Sequence, residues 1–143
     1  MYKKILIPLD NSPTDTTILN HIRPLVKLTG AQVILVHVAD GFAARLQSEL
    51  NLADSEEIKK DQAYLDRQCG ALAADGVTAK AVLLQGKEPA EAILALAAGE
   101  GCDLIAMGTH GHGFVKDVIL GSVADGLRHN TNIPILMIRS CSQ

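Results

Sequence analysis

The sequence contains no tryptophan, and its two tyrosines and two phenylalanines bring aromatic residues to only 3%. A core without large rings has to be assembled from Val, Ile, Leu and Ala. Charge is also modest, with 20% charged residues and a formal net charge of -3. That mildly acidic balance lacks the basic footprint that attracts nucleic acid or an anionic membrane surface. Long apolar runs are missing as well. Lys3 and Lys4 precede Ile5, Leu6 and Ile7, but Pro8 and Asp10 close that run. It is too short for the apolar region of a signal peptide, and no stretch approaches membrane-spanning length. The expected location is cytoplasmic. Cysteine is scarce: Cys69, Cys102 and Cys141 are odd in number and share no metal-ligand or redox spacing. Three free thiols are expected rather than a disulfide framework.

What remains is aliphatic. Hydrophobic residues make up 48% of the 143, enough to bury one sizeable core, and residues 1–143 read as one domain. Ile5, Leu6 and Ile7 form a short buried strand over 4–9. Ser12 caps the following helix, Pro13 suits its first position, and Asp15 favours its positive end. Ile18, Leu19, Ile22, Leu25 and Val26 recur at helical spacing. Pro24 inside that pattern implies a kink or one unpaired carbonyl, and Gly30 is a natural stop. Val33, Ile34, Leu35 and Val36 mark a second strand over 32–38. Residues 41–53 show no clean period and read as a partly helical connection. A helix over 55–74 follows, with Ile58, Leu65, Cys69 and Leu72 inward and Asp75 and Gly76 after it. The third strand is placed at 78–85, and a helix opened by Pro89 turns Ile93, Leu94 and Ala97 inward. The fourth strand is placed at 103–107. A glycine-rich loop, a helix through about Arg128 and a last strand over 133–138 complete the chain.

Continuous apolar strands alternating with helices imply an α/β domain, doubly wound, with a five-stranded parallel sheet and helices on both faces. The usual strand order for such a sheet is 3-2-1-4-5. Ligands then bind beyond the carboxyl ends of the strands, where the winding reverses. In that order the ends of strands one and four are neighbours. The first ends Pro8, Leu9, Asp10; the fourth ends Met107, Gly108, Thr109, His110, Gly111, His112, Gly113. Gly108, Gly111 and Gly113 permit positive φ and close approach of backbone to a ligand. Gly121 and Ser122 are expected at or near the start of the last helix, where unpaired N–H groups suit phosphate. Asp10 is the one well-placed carboxylate, able to accept from a ribose hydroxyl or an adenine amino group. A Walker-type phosphate loop is excluded because no lysine stands in a Gly-Lys-Ser/Thr arrangement. A Gly-x-Gly-x-x-Gly turn after the first strand is also missing, which disfavours dinucleotides.

The spacing Gly108-x-x-Gly111, nine residues, then Gly121-Ser122 resembles the nucleotide signature of the universal stress protein family. The resemblance extends to the opening from Lys3 to Asp10, to His37 and Val38, to the run from Asp103 to Gly108, and to the ending from Asn132 to Ile138. It covers nearly the whole chain apart from 41–53. It implies an ATP-binding member that acts as a nucleotide-responsive sensor or regulator in stress responses. On that resemblance Asp10 bonds ribose or adenine with Pro8 and Leu9 beside it, and Val38 meets adenine through its backbone. Gly108 and Gly111 let the loop close over ribose and the first phosphates, and Gly121, Ser122 and Val123 hold the outer ones. It also implies a homodimer in which the last strand, from Ile133 to Ile138, pairs with its copy across a two-fold axis. Gly113 departs from the family pattern, where a longer side chain is common.

Thr109-His110-Gly111-His112 also fits a histidine motif of nucleotidylyltransferases, which would make the chain an adenylyl-transfer enzyme. There the motif follows the first strand; here it follows the fourth, and the other transferase signatures are missing. His110 and His112 are read as shaping the loop or touching phosphate. A catalytic nucleophile with its base is not evident. Hydrolysis is therefore expected to be slow at most, a slow ATPase timer being the alternative. Any Mg2+ accompanies ATP and is held mainly by its phosphates. The resident nucleotide, whether ATP, ADP or AMP, is not specified by the sequence.

Overall fold

The chain's apolar runs and amphipathic stripes set the order of its elements. The computed structural model describes residues 1–40, 51–86, 88–110 and 117–140, with the backbone alone at 40, 51–55, 110 and 117–122. The described elements are β1 (Lys4–Pro8), α1 (Thr14–Thr29), β2 (Gln32–Asp40), α2 (Asn51–Ala74) and β3 (Ala79–Gly86). They continue with α3 (Pro89–Glu100), β4 (Leu104–His110), α4 (Asp117–Asn130) and β5 (Ile135–Ser140). The sheet is parallel throughout, in the expected order β3-β2-β1-β4-β5.

Strand β1 shows how the layers are built. Ile5, Leu6 and Ile7 are all fully buried, and successive side chains leave a strand on opposite faces. Ile5 and Ile7 join Ile18, Ile22 and Val26 of α1 and Leu65 and Leu72 of α2. Leu6 joins Ile93 and Ala97 of α3 and Ala124 and Leu127 of α4. Each such aliphatic side chain contributes about 1.5–3 kcal/mol by leaving water. Both faces of the sheet are therefore covered, and the strands can be apolar at every position.

Helix ends follow local chemistry. The Thr14 N–H donates to Ser12 Oγ at 3.3 Å, but Pro13, not Ser12, stands at the N-cap and brings no side-chain cap. Pro13 already has helical angles, φ -58 and ψ -22. Helix α1 runs through Pro24 and ends at Gly30, whose φ of 71 is the left-handed conformation that glycine adopts without strain. Gly126 in α4 marks a close helix crossing. A Cβ there would stand 2.7 Å from the Ala90 Cβ of α3.

The elements depart from the sequence expectations at several ends. Strand β2 continues past Val38 because Ala39 and Asp40 pair with Gln85 and Gly86. Helix α2 begins at Asn51, four residues before the expected 55. Strand β5 starts two residues later than expected, after Pro134, which has no N–H to give a ladder. The largest change is in β4. Gly108, Thr109 and His110 were expected in a loop but lie in the strand, opposite Ile138, Arg139 and Ser140 of β5. Cys69 and Cys102 carry free thiols. Cys141, most of the connection expected at 41–53, and Gly111, His112 and Gly113 lie outside the described residues. Among the described residues no helix is long and apolar enough to cross a membrane.

Candidate functional site

The carboxyl ends of β1, β2 and β4 open onto one cleft of about 120 Å³, which continues into open solvent. Of the residues singled out in the sequence, Pro8, Leu9, Asp10, Val38, Met107, Gly108 and Val123 line it together. The topology explains this. Strands β1 and β4 are neighbours, and the chain leaves them in opposite directions across the sheet. Thr109 is half-buried in β4 beside the cleft residues. The backbone of His110 closes β4 against Ser140.

Two expectations about glycines change. Gly108 is not among the glycines of positive φ, which are Gly30, Gly76 and Gly101 in the described part of the chain. Its role is close packing: a Cβ would stand 2.5 Å from Thr14 Cγ2 and 2.6 Å from Ile18 Cδ1. Gly108 thus lets the first turn of α1 sit directly on β4. Gly121 and Ser122, in turn, do not start α4. The helix begins at Asp117, so both lie beyond its first turn. Only the first four N–H groups of a helix lack an internal partner.

The lip of the cleft on the β1 side is a tightly bonded turn. The Leu9 N–H donates to the Val36 carbonyl at 2.8 Å, continuing the sheet register. Asn11 then reverses the chain at φ 61, a left-handed conformation that Asn tolerates. Asp15, in the first turn of α1, reaches back to hold this reversal. Its carboxylate accepts from the Asp10 N–H at 3.1 Å and from the Asn11 N–H at 2.9 Å. The Tyr64 hydroxyl, from α2, donates to the same carboxylate at 2.7 Å. The Ser12 hydroxyl donates to Asp10 Oδ1. On the β2 side, His37 Nδ1 bonds the Leu9 carbonyl at 2.8 Å, and its Nε2 faces Asp61 Oδ2 at 3.6 Å.

Asp10 is therefore not the only carboxylate at the site, as the sequence suggested. Asp15 also lines the cleft and is only 1% exposed. Burial is the main cause that pushes its carboxyl up to about 6, aided by the nearby Asp10 and opposed by the bonds from Tyr64 and the Asp10 N–H. The Tyr64 hydroxyl is in turn raised, by burial first and then by its bond to Asp15. Thr14, Ile18, Val36, His37, Pro89 and Ile93 complete the lining without having been singled out as ligand contacts. Most of the wall is aliphatic, with polar groups gathered at the β1–α1 turn. An apolar lining with a few placed polar groups is the common form of a small-molecule pocket.

The Asp15 proton has a consequence for stability. Its folded value of about 6 lies above the ordinary 3.8, so the native state holds a proton that the unfolded chain has released. The stabilisation is complete below pH about 4 and is lost as pH rises through about 6. Urea unfolding between pH 4 and 7 is expected to show this fall in the wild type and not in Asp15→Asn. Equal slopes in the two proteins would contradict it.

The sequence profile of the Universal stress protein family matches residues 1–139. The chain belongs to the universal stress protein family. Universal stress protein MJ0577 of Methanocaldococcus jannaschii is 31% identical, with 97% of this chain and 96% of that protein covered. The solved structure of MJ0577 has a TM-score of 0.86 and covers 100% of this chain and 99% of its own. A universal stress protein of Thermus aquaticus is 34% identical, covering 97% of this chain and 100% of its own. A family structure from Burkholderia pseudomallei has 30% identity and a TM-score of 0.75, covering 97% of each chain. Two more distant universal stress protein structures share the fold. The one from Archaeoglobus fulgidus in complex with dAMP has 21% identity and a TM-score of 0.69, and one in complex with cAMP has 16% and 0.64.

Proposed function

We propose that the cleft binds an adenine nucleotide, ATP or its ADP and AMP relatives, and that the protein is a nucleotide-responsive sensor or regulator in the cytoplasmic stress response. One observation carries this reading: Asp10 and the start of the Gly108–Ser122 signature segment line the same aliphatic cleft at the switch point of the sheet. Universal stress proteins of this fold in complex with dAMP and cAMP support the ligand class. In the proposed complex adenine lies against Leu9, Val38 and Met107, with Pro8 beside it. Asp10 accepts from ribose or from the adenine amino group. Gly108 and Thr109 lead into His110, Gly111, His112 and Gly113, which pass over ribose and the first phosphates. Gly121, Ser122 and Val123 meet the outer phosphates. Amide contacts there require α4 to start at Gly121, one turn later than in the structure described above. A Mg2+ ion arriving with ATP keeps its ligands mainly on the phosphates and water.

Binding is favoured over rapid catalysis by His37, the histidine lining the described cleft. Both of its ring nitrogens face protein partners, the Leu9 carbonyl and Asp61, and a general base needs one directed at the reacting proton. A homodimer through β5 completes the proposal. The strand is an edge of the sheet, and Met137 on it is 41% exposed, a surface that a second copy would cover.

Calorimetric titration of ATP tests the site. Saturable binding at one nucleotide per chain is expected. Asp10→Ala is expected to weaken it by about 10- to 150-fold, the value of a hydrogen bond to a charged acceptor. Unchanged affinity in a folded Asp10→Ala chain, or no binding of ATP, ADP or AMP, would overturn the assignment.

A further inference from the structure

Two carboxyls stand at the nucleoside end of the cleft, and recognition of a nucleoside employs only Asp10. Asp15 is the more buried of the two, at 1% exposed. It holds the N–H groups of Asp10 and Asn11, and through them the turn that aims the Asp10 side chain. Asp15 is itself held from outside the cleft. Tyr64 belongs to α2 and is not part of the cleft wall, yet its hydroxyl reaches the Asp15 carboxylate at 2.7 Å. The clasp thus runs from α2 through Asp15 to Asp10.

We propose that Asp15, clasped by Tyr64, is the positioning residue for Asp10, and that a proton taken up by Asp15 competes with the nucleoside for the Asp10 carboxylate. The proposal rests on the reading of the cleft as an adenine nucleotide site. When ionised, Asp15 acts only as an acceptor, matched to three donors: two backbone N–H groups and the Tyr64 hydroxyl. When protonated, it becomes a donor, and the neighbouring Asp10 carboxylate is the acceptor beside it. That bond uses an Asp10 lone pair that the ribose hydroxyls or the adenine amino group need. Nucleotide binding therefore favours the ionised clasp and releases a proton near pH 6.

Among the described residues the charged and titratable surroundings of Asp15 are few. Asp10 faces it from the β1–α1 turn and Tyr64 from α2, with Arg67 acting on Tyr64 from the next turn. His37 of β2 lines the same cleft and faces Asp61 of α2. From β4 and α3 the cleft receives Met107, Gly108, Pro89 and Ile93, none of which titrates.

The test is the ATP dissociation constant from pH 5.0 to 8.0 for wild type, Asp15→Asn and Tyr64→Phe. Protonation of ATP is common to all three proteins and cancels in the comparison. With Asp15 titrating near 6, wild-type affinity is expected to fall about tenfold more than that of Asp15→Asn between pH 7.5 and 5.0. Tyr64→Phe removes a bond that favours the ionised form, so its loss of affinity is expected to begin at higher pH than in wild type. Parallel profiles in wild type and Asp15→Asn, or coincident ones in wild type and Tyr64→Phe, would overturn the proposal while leaving the nucleotide site intact. If Asp15→Asn does not fold, Tyr64→Phe decides alone. Absence of ATP binding to wild type at every pH would instead overturn the nucleotide reading and this inference with it.

Discussion

Gly121→Asp is expected to abolish ATP binding while leaving the chain folded. The proposed complex places the outer phosphates against Gly121, Ser122 and Val123. A carboxylate about 4 Å from a phosphate, at an effective permittivity of 20, is opposed by about 4 kcal/mol, or about a thousandfold in affinity. Gly121 lies within α4, and Asp is no worse a helix former than Gly, so helix formation itself does not oppose the change. Circular dichroism and melting temperature check the fold, and calorimetry checks the binding. Wild-type affinity in a folded Gly121→Asp chain would remove phosphate from this part of the helix.

Gly108→Ala is the second large effect, and it acts on stability and binding together. The new Cβ would stand 2.5 Å from Thr14 Cγ2 and within 2.9 Å of two Ile18 carbons. Ile18 has one strongly preferred χ1 rotamer on a helix, and both neighbours are tightly enclosed, only 3% and 2% exposed. The first turn of α1 must therefore lift from β4. Overpacking of this kind costs about 1–3 kcal/mol, which lowers the melting temperature by roughly 5 °C. The same turn carries Asp15, which holds Asp10, so ATP affinity is expected to fall as well. Adding Ile18→Val shortens one of the clashing side chains, and the double variant should recover part of both losses. An unaltered melting temperature in Gly108→Ala would contradict the packing role.

The parts of this fold that were legible in the sequence are those decided by local pattern. Ile5, Leu6 and Ile7 read as a buried strand, and Gly30 reads as a helix stop. The strand order followed from the general behaviour of five-stranded parallel sheets, and the cleft followed from the order. The parts that were not legible depend on partners far along the chain. Gly108, Thr109 and His110 have the composition of a loop, but pairing with Ile138, Arg139 and Ser140 makes them strand. Asp15 carried one local signal, three residues after Ser12, and was read as a helix-end charge. Its burial beneath Tyr64 brings together residues 49 apart in sequence, which no window around Asp15 contains. The start of α2 is not legible because the residues ahead of the expected helix, Asn51, Leu52, Ala53 and Asp54, carry no apolar period to read.

The central claim is that the ends of β1 and β4 form one adenine nucleotide site. The most direct test is a titration of the isotope-labelled protein with ATP, followed residue by residue through amide resonances. The account predicts saturable shifts concentrated at Leu9, Asp10, Val38, Gly108 and Val123. Resonances along the opposite end of the sheet, such as Lys4 and Gln32, should stay unmoved. Shifts centred away from those residues, or none at saturating ATP, would contradict it.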